Sequence, residues 1–368
     1  MVKNLAATYD VAVVGAGVFG AWTAYHLVRA GLTVLLVDQH GPGNSRSSSG
    51  GETRVIRASY GADLIYTRST IRSLELWKQF FAESGQPLFH RTGVLVTAPS
   101  ADSYLLATRE TLAKAKYDFE WLNRAAMRKR FPQIVFDEDA AGIYEPSSGV
   151  LSARRGVPAV VDAAVQAGVR YETRRIEARE LLPAKNVVYS CGPWLPSLFP
   201  ELLRGRIRPT RQPVFFLGTP PGDQTPMPVW IAFREGAYSI PPLDGRGFKL
   251  AIDDHGPAFD PETGNRTISA ADIRHARMIL RKRFPLLRNA PLLESRVCQY
   301  ENTSNGDFLI DRHPNRENVW LVGGGSGHGF KHGPFVGEYV AKQILGTGVT
   351  EPRFSLSSKK TTKHRSVY

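Results

Sequence analysis

Three glycines and one acid carry the first suggestion of chemistry. Gly15, Gly17 and Gly20 stand in G-x-G-x-x-G spacing within YDVAVVGAGVFGAWTAYHLVRAGLTVLLVDQH, and Asp38 closes the apolar run that follows. The first glycine of such a set permits a tight turn, the second lets backbone approach a pyrophosphate, and the third lets a helix pack on a strand. The helix N-terminus adds a positive dipole and free N–H groups. Asp38 stands where a carboxylate takes the hydroxyls of an adenosine ribose. Glycines alone could be a packing turn; a strand before them, a helix after them and the acid on the next strand favour a dinucleotide. A second candidate is Cys298, one of two cysteines, in RVCQYENTSNGDFLIDRHP. A thiolate is a nucleophile, and a cation such as Arg296 would favour it, whereas most buried cysteines are small hydrophobes. Cys191, in SCGPW, is read as packing. Two cysteines build neither a disulfide framework nor a zinc site of about four ligands, so no metal is expected.

These residues need elements to hold them. Val11 to Val14 read as a buried parallel strand, the helix after the glycine turn ends at Ala30 with Gly31 as its cap, and Thr33 to Val37 form the next strand. The loop GPGNSRSSSGGETRVIR ends on Arg54 and Arg57. The fingerprint alone serves NAD and FAD equally; a long loop of small residues suits an extended cofactor better than a short nicotinamide one. From about Gly93, short strands alternate with amphipathic helices, and from Arg206 to Ile252 the runs RPTRQPVFFLG, PVWIAFREGAYSIPP and GFKLAI read as a largely antiparallel sheet. KNVVYSCGPW and the final NVWLVGGGSGHGFKHGPFVGEYVAKQILG return to the parallel-strand style. The expected architecture is mixed α/β. A discontinuous dinucleotide domain (1–90, 150–205 and 305–355) carries an inserted substrate domain (91–149 and 206–304), with a basic, flexible tail from 356 to 368.

Composition narrows the classes. A chain of 368 residues with 42% hydrophobic and 22% charged residues is a globular protein with many turns. The net charge of +13 comes from scattered Lys and Arg, without the interleaved aromatics of a nucleic-acid surface, so no nucleic-acid partner is expected. No run reaches the roughly 18 apolar residues that span a bilayer, and the N-terminal segment lacks a signal-peptide core. A cytoplasmic protein with no membrane partner is the expectation.

The segments VVGAGVFG, GGETRVIR, TGVLV, EPSSGVL, CGPW, RQPVFF, GFKLA, VCQYENTSNGDFLIDRHP and GGGSGHGFKHGPFVGE occur in an order that resembles the flavin-dependent amine oxidases of the monomeric sarcosine oxidase type. That family includes N-methyltryptophan, pipecolate and fructosyl-amino-acid oxidases. The resemblance implies a glutathione-reductase-type FAD domain and a monomer. It also implies hydride transfer from an amino acid or secondary amine to the flavin, with O2 reduced to H2O2. A flavin dehydrogenase using another acceptor is the enzymatic alternative, and a dinucleotide- or nucleic-acid-binding protein the non-catalytic one.

The resemblance also assigns residues. Cys298 matches the cysteine joined to the flavin 8α-methyl carbon. Arg57 and Lys331 match the pair that holds the substrate carboxylate, Lys249 the lysine that promotes reaction with oxygen, and Arg54 an arginine near the flavin ring. Tyr60, Tyr238 and Tyr300 match the substrate pocket. Val18, Phe19, Gln39, Ser49, Gly192, Trp194, Gly327, His328, Gly329 and Phe330 join the glycines and Asp38 as expected cofactor contacts. His328 is assigned no proton transfer. Two departures bear on substrate. The family has two histidines where this chain has Ser49 and Gly50, and a histidine where it has Asp253. Lost bulk at Gly50 would admit a larger substrate, and Asp253 would favour a cationic or polar group.

Overall fold

The computed structural model describes residues 8–177, 180–219, 226–360 and 362. Its parallel core is assembled from distant parts of the chain. Strands Tyr9–Val14, Val34–Asp38, Arg170–Thr173, Ala184–Tyr189, Leu309–His313 and Arg316–Gly323 form one six-stranded sheet, parallel except for the closing hairpin. Val11, Val13, Leu36 and Val188 are fully buried there, as near-continuous apolar runs in a sheet covered on both faces must be. Helix Val18–Arg29 crosses helix Gly333–Ile344 so closely that a Cβ on Gly337 would lie 2.5 Å from the Trp22 backbone. Trp22 and Trp77 pack edge to face at 4.9 Å beside this crossing.

The second sheet has eight strands, in the order 292–303, 207–217, 248–252, 237–240, 229–232, 94–99, 140–145 and 120–123. Every neighbouring pair is antiparallel except Val229–Ala232 with Val94–Pro99. The segment expected as a loop ending in two arginines includes a short strand, Arg54–Ile56, paired with Gly149–Leu151. That pairing pins Arg54 and Arg57 where an open loop would leave them free to move.

The expected flexible tail is a packed turn over its first residues. Leu356 is buried, and Ser357–Lys360 form a 3-10 turn in which Lys359 is buried with its Nζ on the Arg353 carbonyl at 2.8 Å. Except for 362, the tail beyond Lys360 lies outside the described residues. No helix among the described residues is long and apolar enough to cross a membrane.

Candidate active site

The first strand delivers the chain into Gly15 at φ +102°, and a Cβ there would lie 2.4 Å from the Ser190 carbonyl. Gly20 presses on that turn: its Cβ would stand 1.8 Å from the Gly15 oxygen, so the third glycine sets the close packing of helix on strand. Val18 N–H donates to Ser49 Oγ at 3.0 Å, which ties the small-residue loop to the helix N-terminus. Asp38 accepts from the Ala16, His40 and Gly41 amides, each at 2.8 Å, and its carboxylate is held rigid at the strand end.

A cavity of about 340 Å³ opens from this turn. Its wall includes Gly15, Gly17, Val18, Phe19, Asp38, Gln39, Ser49, Gly192 and Trp194, together with Gly327, His328, Gly329 and Phe330. The same cavity reaches Arg54, Arg57, Tyr238, Asp253, Cys298, Tyr300 and Lys331. Residues more than 300 positions apart thus share one space.

At that second end, Arg54 lies 3.4 Å from Cys298 Sγ through Nη2 and donates to the Ser48 and Thr53 carbonyls. The cation beside the thiol is therefore Arg54. Arg296, the sequence candidate, instead pairs with Glu294 at 2.5 Å and Glu52 at 3.2 Å. Cys298 and Tyr300 alternate on one strand, as residues two apart do, and both border the cavity. Tyr300 O–H donates to Asp253, whose carboxyl burial pushes up to about 6 against that hydrogen bond and the charges of Arg57 and Lys331.

Arg57 is 4% exposed, donates to the Ser59 carbonyl and stacks over Tyr60 at 5.2 Å. Its loop is held by Glu145, which accepts from the Ala58 and Ser59 amides at 2.7 and 3.0 Å. Lys331 Nζ donates to Tyr60 Oη at 2.8 Å and to the His328 carbonyl at 3.1 Å. Lys249 is 2% exposed, donates to the Thr53 carbonyl at 3.0 Å and lies 5.4 Å from the Tyr238 ring centre. Burial, then the Arg54 charge, push its amine down to about 7.

Two expected pocket residues are placed elsewhere. Gly50 is a packing glycine, because a Cβ there would sit 1.7 Å from the Asn44 carbonyl; its lack of bulk serves the turn and opens no substrate space. Tyr60 lies behind the cavity wall, where its hydroxyl meets Lys331, His332 at 2.7 Å and His328 at 3.2 Å, so it supports the cations. Lys249 also stands one layer back, outside the residues that border the cavity. His328 spans Tyr60 and the Gly306 carbonyl, at 3.2 and 3.1 Å. Sequence reasoning missed His332, fully buried between Tyr60 and Ser69, and Glu145 and Glu301, buried acids within strands. A charged residue inside an apolar strand pattern was the available signal for the acids.

The residues present fit a flavin dinucleotide. Beyond the glycine cradle, Ser48 Oγ, Ser190 Oγ and Glu301 Oε1 are buried in the cavity wall without hydrogen-bond partners, an arrangement that an oxygen-rich ligand would satisfy. A family model described as FAD dependent oxidoreductase (DAO) matches residues 10–343. The monomeric sarcosine oxidase of Bacillus sp. (strain B-0618) is 33% identical over 378 aligned positions, covering 95% of each chain. The peroxisomal sarcosine oxidase of Homo sapiens is 30% identical, covering 90% of this chain and 91% of its own. The N-methyl-L-tryptophan oxidase of Salmonella arizonae (strain ATCC BAA-731 / CDC346-86 / RSK2980) is 28% identical, covering 92% and 95%. Among solved structures, L-proline dehydrogenase from P.horikoshii superposes with a TM-score of 0.84 at 21% identity, covering 97% of this chain and 99% of its own, which bears on the fold alone. With its glycine cradle and a family match over nearly its whole length, the chain belongs to the DAO family of FAD-dependent oxidoreductases.

Proposed function

We propose that this protein oxidises a small amino acid or secondary amine, with O2 as the electron acceptor that completes the cycle. The observation that carries the reading is the single cavity in which Arg57, Lys331 and Asp253 border the same space as Cys298 and the glycine cradle. Bound FAD supplies the two-electron acceptor. Arg57 presents a planar fork and Lys331 a point charge to the substrate carboxylate, and holding that end fixes which C–H is presented for transfer. Asp253 takes a cationic or polar group of the substrate, Tyr238 and Tyr300 form the pocket walls, and Lys249 holds positive charge close behind. Cys298 Sγ is the attachment point for a covalent flavin, with the Arg54 guanidinium 3.4 Å from it. The protein works as a monomer in the cytoplasm, a compartment consistent with its two free cysteines.

A panel of N-methyl, cyclic and glycated amino acids, including sarcosine, N-methyl-L-tryptophan and L-proline, tests the reading. At least one should bleach the flavin without air and release peroxide in air; silence across the panel overturns it. Acid precipitation tests the linkage. The yellow colour is expected in the pellet for the wild type and in the supernatant for Cys298→Ala. Colour in the wild-type supernatant removes the covalent bond and leaves the oxidase reading standing.

A further inference from the structure

Glu301 is a buried acid that the proposed chemistry does not use. It follows Tyr300 on the strand Leu292–Thr303, and with 6% of its surface exposed it forms part of the cavity wall. Its carboxyl lies against the glycine-rich end of Arg316–Gly323, and the Gly324 and Gly325 amides oppose the effect of its burial. Only a glycine leaves room there: a Cβ on Gly323 would stand 2.4 Å from Oε1. Oε1 itself is buried without a hydrogen-bond partner, and no salt bridge reaches Glu301 among the described residues.

Two features show what such a group would receive. Ser190, in the same wall, also has a buried hydroxyl without a partner, so the two polar groups border a stretch of cavity that protein atoms leave unsatisfied. Cys191 is a titratable neighbour of Glu301, and no cation acts on the carboxyl to balance its ionised form. Burial pushes the Glu301 carboxyl up to about 7 despite the Gly324 and Gly325 amides, and holds the Cys191 thiol neutral. A neutral acid can donate; an ionised one can only accept, and it repels phosphate.

We propose that Glu301, as the uncharged acid, donates a hydrogen bond to an oxygen of the ribityl-pyrophosphate chain of bound FAD, so that the cofactor is held less tightly as pH rises. Linkage makes the relation reciprocal: binding of FAD favours the protonated acid, and a proton is taken up with the cofactor wherever the free protein is ionised. The proposal goes beyond the amine reading and rests only on the family's use of FAD.

The test uses full-length Cys298→Ser, which cannot retain FAD covalently, stripped and titrated with FAD by fluorescence quenching between pH 6 and 8.5. Affinity is expected to fall about tenfold over that range, the equivalent of roughly one pKa unit of coupling. Adding Glu301→Gln, which keeps a neutral donor, should leave tight binding with no pH dependence, and Glu301→Ala should bind weakly at every pH. Parallel pH curves for Cys298→Ser with and without the Glu301→Gln change overturn the proposal. If Cys298→Ser takes up no FAD, the intact holoenzyme decides. Glu301→Gln should melt higher than wild type at pH 8.5 and converge with it toward pH 5, because a raised carboxyl destabilises the fold most where it is ionised; coincident melting curves across that range overturn it. Either negative result leaves the oxidase reading intact.

Discussion

Replacing Lys249 with methionine is expected to slow the reaction of the reduced enzyme with oxygen by roughly 10²–10³-fold, the scale of loss when one preorganised donor is removed from developing negative charge. Reduction by the amine should change little. The expectation rests on place and surroundings: Nζ is buried, points at the Thr53 carbonyl at 3.0 Å, and stands behind Tyr238 at the wall that Cys298 and Arg54 also border. Methionine preserves much of the length and apolar bulk while deleting the charge, and deleting a desolvated amine should not weaken the fold.

The sign of the pH dependence follows from the same amine. Burial and Arg54 hold it near 7, so it is charged below that value and neutral above it. An anion bound beside it moves the midpoint upward. Oxygen reactivity should therefore decline as pH rises through 7 or above in the wild type and run flat in Lys249→Met. Rapid-mixing measurements of reoxidation in air check both points. Slow reoxidation that the substitution leaves unchanged would sink the oxidase assignment in favour of a dehydrogenase.

Arg57→Ala is expected to lower kcat/KM by roughly 10²–10³-fold, chiefly through KM, because truncating one partner of a buried, hydrogen-bonded charge pair costs about 2–5 kcal/mol. Arg57→Lys should recover little. A lysine lacks the planar fork and cannot reproduce both the Ser59 contact and the stacking over Tyr60. Steady-state kinetics on whichever amine the panel yields decide this, with the flavin spectrum confirming that the variant is folded. A variant with unchanged KM would remove Arg57 from the carboxylate site.

Much of the cofactor end was legible in the chain because its determinants are local. Gly15, Gly17, Gly20 and Asp38 lie within one strand–turn–helix–strand unit, where spacing dictates geometry, and the six-stranded sheet contains the strands read from those apolar runs. The substrate end depends on contacts across long separations. Arg54 reaches Cys298 across 244 positions, and Lys331 meets Tyr60 across 271. No local period encodes such encounters. Arg296 was the reasonable neighbour for Cys298 along the strand, yet Glu52 and Glu294 draw it away.

Gly50 marks the same boundary from the other side. Its identity suggested room for a larger substrate; the Asn44 carbonyl occupies that room. By itself, the sequence determined the dinucleotide cradle, the alternation that sets Cys298 and Tyr300 on one face, and the mixed α/β plan, because these follow from short-range geometry and apolar periodicity. Only the tertiary structure decided which cation stands at the thiol, which tyrosine supports the cations and which faces the cavity. It also left Glu301 buried with one carboxyl oxygen unpartnered. Those outcomes depend on packing between elements far apart in the chain, where burial and the competition of neighbouring charges select each side chain's partner.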